Sequence, residues 1–270
     1  MRELRGKVAV ITGGAGGIGR ALAVELAAQG CALALADKRP AELEETAALV
    51  RGTTKVTTHV TDVTRREDIL ALREQVLAAH GAVHVVITCA GLTMVGLFDT
   101  FSPEQLDQVL AVNLHGTMNT CHAFIPALKR AGEGHLVTIS SMLGLVGMPT
   151  QSTYALTKFA VRGLSESLRG ELSPFGVGVT VVFPGATRTP MLDHAEGPLA
   201  EASRPMLETS KRHALDPATL ARRVRRAIQR DSPRVVSGAD GRLFDWISRL
   251  APGFIASAAS RMVKGLLPKG

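Results

Sequence analysis

A single α/β domain built on a parallel sheet is predicted, on three observations. Short apolar runs rich in Val, Ile and Ala alternate with helix-length segments along most of the 270 residues. The first of these runs, Lys7-Val8-Ala9-Val10-Ile11-Thr12, passes directly into a glycine-rich turn and then into a helix-forming stretch, Arg20 to Gln29. The length suits one large α/β domain, and 46% hydrophobic residues with a mean hydropathy of +0.16 supply a sizeable core.

Composition narrows the setting. No apolar run reaches the ~20 residues needed to cross a bilayer. The start, Met1-Arg2-Glu3-Leu4-Arg5-Gly6-Lys7, has no apolar signal region. Cys31, Cys89 and Cys121 are odd in number and lack metal-ligand or C-x-x-C spacing, so no metal is expected and a reducing, cytoplasmic location is. The formal charge of +7 is uneven: residues 211–270 carry 13 Lys and Arg against four Asp, a net of +9, while the first 210 carry a net of −2. The basic character belongs to the C-terminal segment and concerns its partners, not the fold.

Taken in order, the turn Gly13-Gly14-Ala15-Gly16-Gly17-Ile18-Gly19 satisfies two spacings. These are G-x-G-x-x-G through Gly14, Gly16 and Gly19, and T-G-x-x-x-G-x-G through Thr12, Gly13, Gly17 and Gly19. A strand, a glycine turn and a helix amino end make an anion site, because bare backbone N–H groups approach a pyrophosphate and the helix dipole favours it. The strand Cys31 to Ala36 is closed by Asp37, a carboxylate that can accept from both ribose hydroxyls of an adenosine and would repel a 2′-phosphate. NAD is therefore favoured over NADP, with Lys38 and Arg39 as the counter-indication.

A helix from Pro40 to Arg51 leads to a strand, Lys55 to Val60, and then to Thr61-Asp62-Val63, where Asp62 can cap a helix from Arg65 to His80. Val83 to Ile87 is a fourth strand, ending in Thr88-Cys89-Ala90-Gly91. Pro103 to Arg130 is helical around Asn113, a residue type ill suited to a helix interior. The strand His135 to Ser141 precedes an apolar loop, 142–148, and a helix reaching about Leu172. On that helix Tyr154, the only tyrosine of the chain, lies four residues before Lys158, on the same face. A nearby ammonium lowers the ~10 of a phenol, which makes Tyr154 a candidate acid/base with the Ser141 hydroxyl beside it. Apolar positions 156, 159, 160, 164 and 168 form a stripe for the sheet or a neighbouring subunit. Val177 to Phe183 is a further strand ending in Pro184-Gly185, followed by Thr187 and Thr189. Residues 191–216 lack a clean period, 217–230 form an arginine-rich helix, and 235–238 the last strand.

With these motifs in this order the chain resembles the short-chain dehydrogenase/reductase family, from about Lys7 to Gly238. The resemblance implies a doubly wound Rossmann-type fold of about seven parallel strands with helices on both faces, bound NAD or NADP, and a homodimer or homotetramer. It assigns Asn113, Ser141, Tyr154 and Lys158 to catalysis. It assigns Thr12, Gly13, Gly17, Ile18 and Gly19 to the cofactor turn, Asp62 to the adenine amino group and the Val63 backbone to the ring. Ala90, Gly91, Tyr154, Lys158, Pro184, Gly185, Thr187 and Thr189 complete the cofactor site, with Thr189 at the nicotinamide carboxamide. One departure stands out: the family usually has Asn-Asn-Ala-Gly where this chain has Thr88-Cys89-Ala90-Gly91, so the amide bonds that tie the central strands must come from Thr88 and Cys89 or be lost.

The implied organisation is a dinucleotide-binding catalytic domain over 1–240, with a substrate lid at 191–216, and an amphipathic extension over 241–270. The implied activity is hydride transfer between NAD(P) and a secondary alcohol or ketone. Apolar residues at 142–149 and 191–207 point to a lipophilic small-molecule substrate such as a steroid, retinoid or long-chain alcohol. An alternative is a 3-oxoacyl-thioester reductase, with the arginines of 222–230 meeting the phosphate of a carrier protein's phosphopantetheine or of coenzyme A. A non-catalytic dinucleotide-sensing or nucleic-acid-binding protein is a third reading; no helix-turn-helix, zinc or aromatic RNA-binding signature accompanies the charge, so no nucleic acid is expected. The stripe through 243–267 is expected to pack on the domain or a sister subunit, or else to lie on a membrane surface.

Overall fold

The computed structural model describes residues 1–192, 195–212 and 214–250. Strands β1 (Val8–Thr12), β2 (Ala32–Asp37), β3 (Val56–Val60), β4 (Val85–Thr88), β5 (Gly134–Ile139), β6 (Val177–Pro184) and β7 (Arg234–Ser237) form one sheet in the order 3-2-1-4-5-6-7. Every pairing is parallel. Helices α1 (Gly17–Ala28), α2 (Pro40–Ala48), α3 (Arg66–His80), α4 (Pro103–Leu110), α5 (Gly116–Arg130), α6 (Ser152–Leu172), α7 (Ala200–Arg212), α8 (Pro217–Arg230) and α9 (Ala239–Leu250) complete the described chain. The strand order reverses between β1 and β4, so a crevice opens there at the carboxyl ends of the strands.

The near-continuous apolar runs of the central strands follow from burial on both faces. In β1, Ala9 and Ile11 enter a core shared with Leu22 and Leu26 of α1 and Leu220 and Val224 of α8. Val8 and Val10 enter the opposite core with Ile69 and Leu72 of α3 and Phe124 and Leu128 of α5. Local signals set the helix starts: Ser102 and Gln105 close a capping box on α4, and Asp216 caps α8 ahead of Pro217.

Several sequence expectations are corrected. Asp62 does not cap α3, whose first turn follows Arg65 without a side-chain cap; Asp62 Oδ1 instead accepts from Thr64 N and Thr64 Oγ1 at 2.9 and 2.8 Å. The stretch without a clean period contains α7, where Ser203 and Leu207, four residues apart, are buried. The apolar loop after Ser141 is mostly core: Leu143, Leu145 and Val146 are buried, and Leu145 packs with Val181 and Phe183. On α6 the later part of the stripe packs inward through Leu164 and Leu168, while Leu156 and Phe159 are exposed and left for the neighbouring-subunit alternative. The stripe expected at 254–267 lies outside the described residues.

At the amino-terminal end of β5 the fully buried His135 ring meets Thr180 Oγ1 at 2.8 Å through Nε2, and its Nδ1 has no hydrogen-bond partner. The nearest acid is Asp231, 4.0 Å away and held by Arg169. Burial pushes the imidazole down to about 4, against the attraction of Asp231. An unfolded histidine titrates near ~6.5, so between these values the unfolded chain binds the extra proton and stability is lost as pH falls. From pH 7 to below 4 the loss is on the order of 3 kcal/mol. Urea unfolding at pH 7 and 4.5 should show this decline, and the decline should be shallower in His135→Gln; an equal pH slope in the two proteins would contradict the assignment.

Candidate active site

The candidate residues converge on the carboxyl edge of the sheet. Hydroxyls of β5 and the residues after it fasten α6 there. Thr138 Oγ1 meets Ser165 Oγ at 2.6 Å, and Ser140 Oγ donates to the Lys158 carbonyl at 2.8 Å. This places Lys158, only 4% exposed, with its Nζ donating to the Ile139 carbonyl at 3.1 Å. Burial without a carboxylate partner brings its ammonium down to about 8.

Tyr154 lies one turn earlier, its phenol near the side chain of Ser141, with the Lys158 ammonium 5.4 Å from its ring centroid. Here the expected sign is reversed. Burial pushes the phenol up to about 12, and the Ser141 side chain only partly opposes it. Desolvation sets the sign in the protein alone. Ser141 Oγ also accepts from Leu143 N at 3.1 Å, which anchors the turn 142–144 and fixes the hydroxyl. A phenol and a serine hydroxyl held together beside a buried ammonium can polarise one oxygen atom and exchange a proton with it.

Asn113 sits in a π-helical turn, Ala111–His115, between α4 and α5. Its amide pairs with the Leu92 backbone in both directions: Leu92 N donates to Oδ1 and Nδ2 donates to Leu92 O, each at 2.9 Å. Nδ2 also donates to Thr157 Oγ1 at 3.2 Å, and Thr157 donates to the Tyr154 carbonyl at 2.7 Å. The asparagine thus fixes the loop after β4 to the helix of Tyr154. A Cβ on Gly91 would lie 3.2 Å from Asn113 Oδ1, 3.6 Å from Lys158 Nζ and 4.0 Å from Met191 Cε, so Gly91 floors this corner.

The groups that would hold a dinucleotide are on the same edge, and they fit one. Gly13 has φ +71°, and a Cβ there would be 2.6 Å from Ala90 N; a Cβ on Gly19 would be 2.1 Å from the Gly13 carbonyl. Only glycine permits this tight turn, and α1 begins at Gly17 with no side chain capping it. Its first-turn N–H groups are the donors for a pyrophosphate. Ile18 is partly buried against the α1–α8 core. Thr12 Oγ1 donates to the Ile87 carbonyl at 3.4 Å and accepts from Cys89 N at 3.3 Å. It takes over part of the strand-tying role expected of the asparagines, whereas Thr88 Oγ1 is buried with no partner.

Asp37 Oδ2 accepts from Ala15 N at 3.1 Å, and Oδ1 accepts from Arg39 N and Nε at 3.1 and 3.2 Å. Arg39 is therefore an ion-pair partner and not a freely solvated base, and the Asp37 hydrogen bond raises its pKa. Val63 buries its side chain against Gly116 and offers only backbone to the cleft. Thr187 is buried, its hydroxyl donating to the Gly185 carbonyl at 3.0 Å, whereas Thr189 stands against Gly17 at the mouth of α1.

Sequence reasoning missed Ser140, Thr157 and Asp240. Asp240 Oδ2 accepts from Ala186 N at 2.7 Å and fills the space a side chain at Gly185 would need. The start of α9 thereby holds the turn after Pro184. Adjacency to a matched motif was a usable signal for Ser140 and Thr157; nothing near Asp240 carried one.

The chain belongs to the short-chain dehydrogenase family, whose model matches residues 7–198. It is 36% identical over 255 residues to the Mycobacterium tuberculosis protein named oxidoreductase SadH, covering 93% of this chain and 92% of that one. A short-chain dehydrogenase/reductase from Burkholderia phymatum, solved in complex with NAD, superposes with a TM-score of 0.82 at 29% identity, covering 87% of this chain and 90% of that one. A short-chain dehydrogenase of Mycobacterium paratuberculosis bound to NAD gives 0.77 at 27% identity, over 86% of this chain and 96% of that one.

Asn113→Ala should leave the Leu92 N–H and C=O unpaired in a part-buried site, at about 1–3 kcal/mol for each group. An unfolding free energy lowered by about 2–6 kcal/mol is expected from the denaturation midpoint, and an unchanged midpoint would contradict the clamp.

Proposed function

We propose that this chain is an NAD-dependent oxidoreductase that interconverts a secondary alcohol and its ketone. The observation that carries the reading is the meeting of Tyr154, Ser141 and Lys158 at the sheet edge, beside a glycine turn shaped for a pyrophosphate. Bound NAD supplies the acceptor and donor of hydride. Every other role falls to the chain. Ser141 orients the substrate oxygen, Tyr154 gives or takes its proton, and Lys158 supplies the positive charge that makes the phenolate accessible. Asn113 keeps the Leu92 loop and α6 in register.

NAD is favoured over NADP because Asp37 ends β2 as a buried carboxylate and already neutralises Arg39, the nearest guanidinium. Asp62, with its carboxylate pulled down by the Thr64 hydrogen bonds and by Lys38 and Arg65 against the effect of burial, stays anionic for an adenine amino group. Pro184, Gly185, Thr187 and Thr189 line the nicotinamide end, Thr189 being the one whose position beside Gly17 suits a direct contact.

The two similar chains solved with NAD support the cofactor. A lipophilic substrate is supported by Met142, Met148 and Met191, which remain partly exposed, with Met191 Cε 4.0 Å from where a Cβ on Gly91 would lie. A carrier-thioester substrate is less well supported by Arg225, which is already paired with Glu25 at 2.6 Å. Exposed Met118, Leu156 and Phe159 on α5 and α6 support association with a second copy.

A panel of secondary alcohols and ketones, followed by nicotinamide absorbance with NAD and with NADP, tests the reading. Turnover should be faster with NAD, and Tyr154→Phe should lose roughly 100-fold or more in kcat while still binding NAD. Retention of most of the activity in Tyr154→Phe would overturn the role of the phenol.

A further inference from the structure

Helix α9 leaves one face uncovered. Leu243, Trp246 and Leu250 are 59%, 66% and 75% exposed, and steps of three and four residues set them in one row. The rest of the helix is fastened to the domain. Asp240 accepts from Ala186 N at 2.7 Å, and Asp245 receives Arg234 of β7 at 2.7 Å. Three large apolar side chains are thus presented outward on a tethered helix, and a patch of this kind marks an interaction site. Trp246 is also the only tryptophan in the chain.

Beside the row lie guanidinium groups without acidic partners. Arg242 precedes Leu243 on α9, and Arg223 and Arg226 come from α8. They are close enough that Arg242 and Arg226 add to the burial that lowers the pKa of Arg223, whose hydrogen bond goes to the neutral Ser237 hydroxyl. Among the described residues none of the three belongs to an ion pair, whereas the neighbouring Arg225, Arg234 and Arg249 all do.

We propose that α9, flanked by Arg223, Arg226 and Arg242, docks on an anionic lipid surface, with Leu243, Trp246 and Leu250 entering the boundary between headgroups and acyl chains. An apolar row with cations along one side is the pattern of an interfacial helix, and tryptophan favours that boundary. Charge complementarity selects this occupant over the others. A two-fold contact through the row would bring two unpaired arginine clusters together. The chain's own residues 251–270 carry Arg261, Lys264 and Lys269 and no Asp or Glu, so they would add positive charge instead of neutralising it. A nucleic acid would meet the charge but give the apolar row no medium to enter. No described helix is long and apolar enough to cross a membrane, so the contact is with the surface only.

The full chain should be mixed with vesicles of phosphatidylglycerol and phosphatidylcholine, and with phosphatidylcholine vesicles alone, while Trp246 emission and co-flotation are followed. The proposal expects a blue shift and flotation with the anionic vesicles only, weakened by salt. Partitioning should fall at least ~10-fold in Leu243→Ser/Leu250→Ser and in Arg226→Gln/Arg242→Gln, exposed or partly exposed positions whose replacement leaves the fold intact. Emission unmoved by anionic vesicles would overturn it. So would flotation undiminished in the Leu243→Ser/Leu250→Ser variant. Emission already blue without lipid at every protein concentration would assign the row to the chain's own C-terminal residues. A lipid-free shift that grows with protein concentration would assign it to a second copy; either result overturns the proposal.

Discussion

The cleft depends on a buried ammonium with a single fixed partner. Lys158 is held by the Ile139 carbonyl and by the packing of α6 on β5, with no carboxylate to neutralise it. An uncompensated charge at that depth is costly, which is why its pKa falls to about 8. The same burial raises the phenol of Tyr154 to about 12. In the protein alone at neutral pH the lysine therefore remains mostly an ammonium while the tyrosine stays protonated. A positive charge brought into the cleft shifts the tyrosine balance towards phenolate. On the proposed reading, cofactor binding and acid/base chemistry are one coupled event.

Around that ammonium the scaffold is tied by hydroxyls and one amide. Thr138, Ser140 and Thr157 fasten α6 to its neighbours, and Asn113 joins the loop after β4 to the same helix. The central strands carry less polar glue, since Thr88 has no hydrogen-bond partner and Thr12 carries the link between β1 and the residue after β4. The reactive groups thus rest on α6 and β5 more than on the β1–β4 seam that shapes the dinucleotide turn.

Much of this was legible before any coordinates. The glycine turn, Asp37 and the Tyr154–Lys158 step could be read because each needs a particular residue type at a fixed spacing: glycine where two backbones touch, a carboxylate at a strand end, two side chains one helical turn apart. What could not be read depends on tertiary surroundings. The sign of the Tyr154 shift is set by desolvation, which spacing does not reveal. The apolar run 143–146 looks the same in sequence whether it lines a substrate cleft or, as here, joins the core. The Asp240 clamp joins residues 54 apart in sequence.

Because Tyr154 is the only tyrosine, the ultraviolet absorbance of phenolate reports this one residue against pH. In the protein alone the signal should rise only near pH 12. With saturating NAD it should rise at least ~1 pH unit lower. An identical titration with and without NAD would contradict the claim that the lone phenol is the acid/base of a dinucleotide-dependent reaction.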